Sequence, residues 1–356
     1  MRNFSQRLIN WYEANKRDLP WRHTNDPYKV WLSEIILQQT RVHQGISYYY
    51  KFTRLFPTVS DLANATEDEV LKAWQGLGYY SRARNLHASA KFIHHDNGGK
   101  FPESAKGLEQ LKGVGPYTAA AIASFCYGEK VAVIDGNVMR VLSRIFGVEL
   151  PVDSTDGKKV IEKIAAEIIS KSQPGQHNQA MMELGAIQCR PSSPDCESCP
   201  FAAVCVAYKS GRVNDFPLKE KKTSVKNIWY YYFVIHHGEN VYLKRREGKG
   251  IWRGLYDFPL IETNESISEK IAISDFFKSH SINKEMVVTG VSEVFKHVLT
   301  HRKIHAVFIE MILKDAKAIK GYAYLSINKQ SMKDYGIPRL VEKYLESNIA
   351  WKNIMA

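Results

Sequence analysis

The chain has 356 residues, 44% of them hydrophobic, and a formal net charge of +12 with a pI near 9.3. This composition excludes a disordered chain and is enough for two or three domains with their own cores. The excess of positive charge favours a polyanionic partner, with a merely basic soluble protein as the equal alternative. No apolar stretch is long enough to span a membrane and the N-terminus has no apolar signal core, so we expect an intracellular, cytoplasmic protein.

Residues 1–210 are predicted to be helical almost throughout. Apolar residues recur at helical spacing, for example at Phe4 and Leu8 in an amphipathic N-terminal segment. Thr66, with an acid three residues later, predicts a capping box at a helix start, and Ser104 predicts a second helix start. No alternation typical of strands occurs before residue 225. The fold class of this part is therefore all-α.

The remaining chain is predicted to be a linker and a mixed α/β domain. The segment 211–227 is polar and basic with one proline, as is typical of a linker, and its lysines are either solvated or in contact with phosphate. Residues 228–350 combine strand and helix patterns. The predicted strands are residues 228–236, 240–247 and 301–313, the first two forming a hairpin, and the predicted helices are residues 267–280 and 338–347.

Four of the five cysteines lie within 17 residues at the spacing C-x6-C-x2-C-x5-C. In a reducing compartment this spacing favours a metal site over disulfides. Thiolates suit both zinc and an iron–sulfur cluster, and the wide loops with a single CxxC pair favour a [4Fe–4S] cluster. The fifth cysteine, Cys126, lies in an apolar run and is predicted to be a core thiol. The candidate ligands are Cys189, Cys196, Cys199 and Cys205.

A turn with two glycines, in LKGVGPYTA at 111–119, precedes a helix rich in alanine. Glycine lets the backbone turn tightly, so that amides of the turn and of the helix N-terminus can face a phosphate. Such a turn is common between helices, but followed by Pro116 and a run of alanines it resembles a helix-hairpin-helix motif. The candidate phosphate-binding residues are Gly113, Val114 and Gly115.

Two acids in apolar surroundings are candidates for chemistry. Asp135 follows four apolar residues in VAVIDGNVMRV, which places it near the end of a buried segment, where it also fits a helix N-cap. Glu34 lies in the apolar helical segment YKVWLSEIILQQTRV. The pattern alone favours a solvent-exposed Glu34, and the alternative is a cleft that raises its pKa.

Taken together, these features resemble the endonuclease III superfamily of base-excision DNA glycosylases over residues 1–210. The hairpin, the aspartate and the cysteine spacing carry this resemblance, and in that family the cysteines of the loop at 189–205 hold a [4Fe–4S] cluster. Within the superfamily, the chain is similar to the MutY-type adenine glycosylases in LPWR at 19–22, SEIILQQTRV at 33–42, GLGYYSRARNL at 76–86 and NQAMMELGAIQC at 178–189.

In the C-terminal part, GIWRGLYDFPL at 250–260 resembles the Nudix-like 8-oxoguanine-reading domain of the same family. The paired glutamates of Nudix hydrolases are absent from this sequence. No pyrophosphatase activity is therefore expected.

The resemblance implies removal of adenine mispaired with 8-oxoguanine or guanine in duplex DNA, after the adenine has been flipped out of the stack. Glu34 matches the general acid that protonates adenine and later activates water. Asp135 matches the carboxylate that stabilises the oxocarbenium-like sugar, and Asn137 matches a residue that positions it. Double-stranded DNA is the implied partner, the protein is expected to act as a monomer, and a bacterial nucleoid is its expected location.

The residue at position 117 distinguishes two activities, base release alone and base release followed by strand cleavage. In the bifunctional endonuclease III relatives this position is a lysine, which forms a Schiff base before the strand is cleaved. Tyrosine cannot form one, and a second lysine found in some relatives is Met139 here. The resemblance thus implies a monofunctional glycosylase. The alternatives are a bifunctional pyrimidine-lesion glycosylase/lyase and a non-catalytic DNA-binding protein with a structural zinc.

The remaining contacts implied by the resemblance fall into three groups, and each residue also has an ordinary packing interpretation. They are Trp21, Arg22 and Gln179 for the adenine pocket, Gln39 and Tyr79 for wedging into the stack, and Thr40 and Leu77 for 8-oxoguanine.

One segment departs from the family. Its members often read 8-oxoguanine with a Phe-Ser-His turn, where this chain has Leu299, Thr300 and His301. The hydroxyl and the histidine are kept and the aromatic side chain is lost. We therefore expect Thr300 and His301 to contact 8-oxoguanine with altered stacking.

Overall fold

The computed structural model divides the chain into two compact units. The first, called the helical unit below, comprises Met1–Asn64 and Asn85–Lys222; the second, the sheet unit, comprises Ala65–Arg84 and Thr223–Ala356. Among the described residues, no helix combines the length and apolar character needed to cross a bilayer. The structure describes residues 3–220, 225–248, 250–280, 286–299, 301–319, 321–348 and 351.

Short helices joined by tight turns make up the first part of the chain, as predicted. The segment containing α5 and the start of α6 belongs to the sheet unit. A 3₁₀ turn covers Pro20–Arg22, another covers Ala202–Val204, and a π-helical turn covers Leu184–Gln188. The helices are α1 (Phe4–Asn15), α2 (Pro27–Leu37), α3 (Val42–Leu55), α4 (Val59–Asn64), α5 (Glu67–Trp74), α6 (Ser81–His95), α7 (Ala105–Leu108), α8 (Pro116–Cys126), α9 (Gly136–Phe146), α10 (Thr155–Ile168), α11 (Pro174–Glu183) and α12 (Val206–Lys209).

Side-chain caps fix several helix starts. The Thr66 hydroxyl accepts a hydrogen bond from the Glu69 amide at 3.2 Å, and the Glu69 carboxylate accepts one from the Thr66 amide at 2.7 Å, so the predicted capping box is present. Ser104 caps α7. Asp135 caps α9 by accepting a bond from the Val138 amide at 2.7 Å. The N-cap interpretation of Asp135 is confirmed.

The core of the helical unit lies between α1, α9, α10 and α11. Leu8, Val141, Ile161 and Leu184 are fully buried in one apolar cluster there. Helices α2 and α8 are buried on nearly every side, and the small residues of α8 let it lie deep in the unit. Close packing of these helices fixes the side chains that they direct toward the site.

The sheet unit is built on a mixed eight-stranded sheet with the order β3-β2-β1-β7-β5, to which β4, β6 and β8 add by pairing with β1, β7 and β2. Strands β1 and β7 are parallel, and the other pairs are antiparallel. Short 3₁₀ turns cover Ala316–Ile319 and Lys329–Asp334. The strands and helices are β1 (Lys226–His237), β2 (Asn240–Arg245), β3 (Tyr256–Asp257), β4 (Leu260–Thr263), α13 (Glu269–Ser279), β5 (Met286–Val291), β6 (Phe295–Val298), β7 (Arg302–Leu313), β8 (Leu325–Asn328) and α14 (Arg339–Ser347).

The central strand β1 is apolar because it is covered on both faces. Its residues from Tyr230 to Ile235 are all buried. The predicted hairpin of β1 and β2 is present, with His236 opposite Val241. Strand β1 begins at Lys226, so the last two residues of the predicted linker lie in the strand. The predicted mixed α/β character of this part is confirmed.

Candidate active site

A cavity of about 220 Å³ opens in the helical unit between α2, α8, α9 and α11. It brings together residues that are far apart in the sequence, and Glu34, Tyr117 and Asp135 all line it. Five further predicted site residues line the same cavity: Trp21, Arg22, Thr40, Asn137 and Gln179.

Glu34 is a buried acid with a raised pKa. It lies on α2 and is 5% exposed, because this helix is packed on nearly every side and has no solvent-facing stripe. The solvent-exposed position favoured by the sequence pattern is therefore wrong. Burial raises the pKa of Glu34 to about 7; a hydrogen bond from Tyr117 and the charge of Arg22 oppose the rise, while the charge of Asp135 adds to it. Near neutral pH this carboxyl group can both give and take a proton.

The Tyr117 side chain contacts Glu34 directly. Pro116 starts α8 and places Tyr117 in its first turn, where the Tyr117 hydroxyl donates a hydrogen bond of 2.7 Å to Glu34 Oε2. The resemblance implied only that position 117 is not a lysine. The structure gives it a second property, a hydrogen bond that favours the ionised form of Glu34.

Asp135 is held by two hydrogen bonds at the start of α9. Its Oδ1 accepts the bond from the Val138 amide, and its Oδ2 accepts a bond of 2.8 Å from Asn137 Nδ2. The Asn137 side-chain oxygen in turn accepts a bond of 2.9 Å from Arg140 Nη2. Arg140 also donates to the Gly185 carbonyl at 2.8 Å, which ties this chain of contacts to the π-helical turn. The carboxylate is therefore fixed in direction and cannot rotate freely.

A buried ion cluster that the sequence did not predict closes the other side of the cavity. Glu183 accepts hydrogen bonds from both Arg17 and Arg22, each with a closest distance of 2.7 Å. Its side chain is 1% exposed. Burial alone would raise the pKa of Glu183, but the hydrogen bonds from the two arginines outweigh burial and lower the pKa to about 2. Glu183 is thus ionised, and it orients the Arg22 guanidinium toward the cavity.

Trp21 and Gln179 lie at the wall of the same cavity. Trp21 is 9% exposed and makes an edge contact with Tyr49 at a ring-centroid distance of 5.4 Å. The Gln179 side-chain oxygen accepts a hydrogen bond of 2.6 Å from Tyr12. This bond fixes the position of the Gln179 amide at the wall of the cavity.

The segment after α2 turns sharply before it reaches α3. Gln39 has a left-handed backbone with φ 59°, which is uncommon outside glycine and asparagine. Thr40 follows at the wall of the cavity. A non-glycine residue held in this conformation is a common feature of functional sites.

The turn before α8 has the shape expected of a helix-hairpin-helix motif. Gly113 has φ 80°, and a Cβ atom there would lie 2.7 Å from that of Asn85, so only glycine fits. Gly115 is exposed and caps α8. The Val114 amide donates to the Leu111 carbonyl at 3.1 Å and closes the turn. The amide of Val114 is therefore occupied, and an anion would meet the first turn of α8.

Three further predicted residues belong to the sheet unit. Leu77 is buried, and Tyr79 is 47% exposed with a left-handed backbone at φ 47°. His301 is exposed at the start of β7, and Thr300 lies outside the described residues.

The four clustered cysteines line one small cavity at the end of the helical unit. Arg144 Nη1 donates to Cys189 Sγ at 3.4 Å, and Cys205 Sγ donates to the Arg144 carbonyl at 3.3 Å. In the described part of the chain, no three His, Cys, Asp or Glu side chains are placed in a geometry that could hold a metal ion. The donor set nevertheless fits a thiolate-bound cluster, since four thiols surround one space and a guanidinium lies beside them to offset their charge.

Comparisons with known proteins agree with this fold. Residues 32–171 match the family described as HhH-GPD superfamily base excision DNA repair protein, and residues 230–347 match the NUDIX domain. A solved thermostable thymine-DNA glycosylase superposes with a TM-score of 0.54 at 30% identity, over 58% of this chain and 95% of that one. An endonuclease III–DNA covalent intermediate superposes with a TM-score of 0.51 at 21% identity, over 59% of this chain and 96% of that one, which shows a common fold. These matches define a base-excision repair glycosylase with a helix-hairpin-helix.

Full-length relatives narrow the class. The adenine DNA glycosylase of Buchnera aphidicola subsp. Schizaphis graminum (strain Sg) is 33% identical over 349 residues, which is 96% of this chain and 98% of the relative. The adenine DNA glycosylase of Arabidopsis thaliana is 34% identical over 357 residues, covering 86% of this chain and 56% of the relative. The chain belongs to the adenine DNA glycosylase family. The predicted family, fold class and enzyme class are confirmed.

Proposed function

We propose that this chain hydrolyses the N-glycosidic bond of adenine mispaired with 8-oxoguanine or guanine in duplex DNA, and that it does not cleave the strand. The observation that carries the proposal is Glu34, a buried acid with a pKa of about 7 in the same cavity as Asp135. A reaction of this kind needs one proton donor and one ionised carboxylate close together.

Proton transfer begins the reaction. An adenine in a duplex cannot reach the cavity, so it is first flipped out at a cost of a few kcal/mol. Glu34 then protonates the flipped base, which makes adenine a better leaving group. Once the base has left, the ionised Glu34 takes a proton from the attacking water.

Asp135 stabilises the positive charge that develops on the sugar. Its two hydrogen bonds hold the carboxylate in place before the substrate arrives, so little reorganisation is needed in the transition state. Asn137 is the positioning residue in this arrangement. With tyrosine at position 117, no Schiff base forms on α8, and the reaction stops at base release.

Trp21, Arg22 and Gln179 form the pocket for the flipped adenine. The indole of Trp21 offers an apolar face, while Arg22 and Gln179 carry polar atoms at the wall of the same cavity. Because Glu183 pairs with both Arg17 and Arg22, each guanidinium at the pocket has an ionic partner.

Lesion reading and DNA binding complete the proposal. Gln39 and Tyr79 wedge into the stack, and 8-oxoguanine contacts Thr40, Leu77, Thr300 and His301. Gly113, Val114 and Gly115 form the turn that brings a DNA phosphate to the first turn of α8. The protein acts as a monomer on the DNA of the nucleoid, with a glycosylase domain at 1–210, a linker at 211–227 and an 8-oxoguanine-reading domain at 228–350.

The cysteine loop has a structural part in this scheme. Cys189, Cys196, Cys199 and Cys205 would hold a [4Fe–4S] cluster, which would fold the loop and needs no part in the bond cleavage. Arg144 would donate to one of the ligating sulfurs.

The test is base release from duplexes with adenine opposite 8-oxoguanine, guanine and thymine. We expect release from the first two and a loss of at least about a hundredfold in Glu34→Gln and Asp135→Asn. Full activity in either variant would contradict the role of that residue. Trapping of a covalent DNA adduct with borohydride would instead support the bifunctional alternative.

A further inference from the structure

The sheet unit contains a segment of the chain that precedes most of the helical unit in sequence. Residues 65–84, with α5 and the turn Gly76–Tyr79, pack into the same compact body as the strands. No local pattern predicted this placement, because the segment has the same helical pattern as the segments around it. The contacts that hold it are specific.

An ionic cluster, called the α5 clasp below, joins the start of α5 to the sheet. Arg245 at the end of β2 lies 3.2 Å from a Glu67 oxygen and 3.0 Å from an Asp68 oxygen. The Tyr256 hydroxyl on β3 donates to the other Asp68 oxygen at 3.1 Å. The α5 clasp consists of Glu67, Asp68, Arg245 and Tyr256.

Close backbone packing extends the contact between α5 and the rest of the sheet unit along the helix. A Cβ atom on Gly254 would lie 2.9 Å from Leu71 Cδ1, so the loop before β3 approaches α5 as closely as glycine allows. Further along, Gln75 donates to Glu342 at 3.0 Å, and Arg84 donates to the Arg253 carbonyl at 2.6 Å. Helix α5 and the residues that follow it are therefore held by strands, a loop and a helix of the sheet unit.

The turn that follows α5 is braced from within. The Arg82 guanidinium donates to the carbonyls of Leu77 and Gly78, both at 3.3 Å, and Trp74 Nε1 donates to Gly78 at 3.0 Å. The guanidinium also lies 5.0 Å from the ring centre of Trp74 and 5.7 Å from that of Tyr79. These contacts hold Tyr79 in its left-handed conformation with its ring exposed.

We propose that Arg245, by holding α5, positions the Gly76–Tyr79 turn. The sheet unit then contacts the base opposite adenine with two elements, this turn and the start of β7. The inference rests on the proposed function, which places Leu77, Tyr79 and His301 at the lesion. Because the turn and β7 belong to one compact unit, both can contact the lesion together, and two contacts made by one body cost less entropy than two made independently. Discrimination between 8-oxoguanine and guanine therefore depends on the clasp, while the chemistry at Glu34 does not.

The experiment measures single-turnover adenine release as a function of enzyme concentration, with 8-oxoguanine or guanine opposite adenine. In Arg245→Ala we expect the half-saturating concentration for the 8-oxoguanine duplex to rise roughly threefold to fivefold, as for loss of an exposed ion pair. The value for the guanine duplex should change less than twofold. The maximal rate and its pH profile should stay unchanged, because the clasp does not touch the cavity.

Two further variants test whether the effect comes from this particular contact or only from the loss of a positive charge on β2. Lys244→Ala removes the same charge from the opposite face of β2 and should leave both duplexes unaffected. Asp68→Asn, which removes one of the two ion pairs of Arg245, should shift the 8-oxoguanine duplex in the same direction by no more than Arg245→Ala does. The double variant should be weaker than Arg245→Ala by less than the sum of the two single effects, since the two residues share a contact.

An unchanged ratio between the two duplexes in Arg245→Ala, or an equal loss on both, would overturn the inference while leaving the proposed function intact. A wild-type protein that releases adenine from neither duplex would overturn the proposed function itself.

Discussion

Glu34 and Tyr117 form a pair in which each residue changes the acidity of the other. The hydrogen bond from Tyr117 favours the ionised form of Glu34, and burial favours the neutral form. The two effects leave the pKa of Glu34 at about 7, where a general acid is most useful. A more acidic Glu34 would be unprotonated at neutral pH, and a less acidic one would not release its proton readily.

Tyr117→Phe should therefore move the pH dependence of base release. With the hydrogen bond removed, the pKa of Glu34 rises above about 7. Because Glu34 must be protonated to act as an acid, the alkaline limb of the single-turnover rate should shift to higher pH. The measurement is a rate profile from pH 5 to 10. A limb that does not move would mean that Glu34 is not the group that titrates.

Glu34→Gln should stabilise the protein at alkaline pH. The pKa of Glu34 is raised from 4.5 to about 7 in the folded state, so folding takes up a proton, and stability is lost as the pH rises through this range. Above pH 7 the buried charge costs about 3 kcal/mol, which glutamine avoids. The melting temperature of the variant relative to wild type should therefore be higher at pH 8 than at pH 4.5. Glu162→Gln, on an exposed face of α10, is the control and should show no such difference.

At the scale of elements, the π-helical turn after α11 supports Asn137, which holds the Asp135 carboxylate. A Cβ atom on Gly185 would lie 2.6 Å from the Cβ of Asn137, so the turn presses directly on the residue that holds Asp135. The Gly185 carbonyl also accepts the bond from Arg140. Functional sites are common next to such turns.

Gly185→Ala should displace Asn137 and so release Asp135 from its fixed direction. We expect base release to slow by about tenfold to a hundredfold, as for other small misplacements of a catalytic group. DNA affinity should stay close to wild type. Gly250→Ala is a matched control, because an added methyl group there meets nothing within 4 Å. An unaltered rate in Gly185→Ala would show that Asn137 does not depend on the turn.

The cysteine loop gives a second prediction at this scale. Cys199→Ser should lower the iron content and the broad visible absorption of the purified protein, since thiolates are the ligands of such clusters. Cys126→Ser, outside the group of four, should leave both unchanged. If the wild-type protein contained zinc in place of iron, the proposal of a [4Fe–4S] cluster would be contradicted and a structural zinc would be favoured. The readout is metal analysis together with an absorption spectrum.

At the scale of the whole molecule, the local features were predictable and the long-range ones were not. The capping box at Thr66 and the cap at Asp135 are short-range patterns, and both were predicted correctly. The helical pattern alone favoured an exposed Glu34 over the cleft that the structure shows, because a helix packed on nearly every side has no polar stripe to read. Glu183 was missed because its partner Arg17 lies 166 residues away in sequence. Membership of α5 in the sheet unit likewise depends on contacts that no local pattern records.

The net charge of +12 leads to a prediction about DNA binding as a whole. The logarithm of the affinity should fall linearly with the logarithm of the salt concentration, because phosphate contacts release counterions. Lys112 is exposed directly before the turn at 113–115. Lys112→Gln should therefore lower the magnitude of this slope by about 1 and weaken the binding of all duplexes equally.

Lys158→Gln separates that local contact from overall charge. It removes the same charge from an exposed position on α10, away from the turn, and should leave the slope unchanged. The measurement is a titration of a fluorescent duplex at several salt concentrations. If both variants lowered the slope equally, the salt dependence of DNA affinity would come from the total charge. The turn at Gly113 would then make no specific contact with the DNA backbone. A change confined to Lys112→Gln places the phosphate contact at the start of α8, where the unpaired amides of the helix face outward.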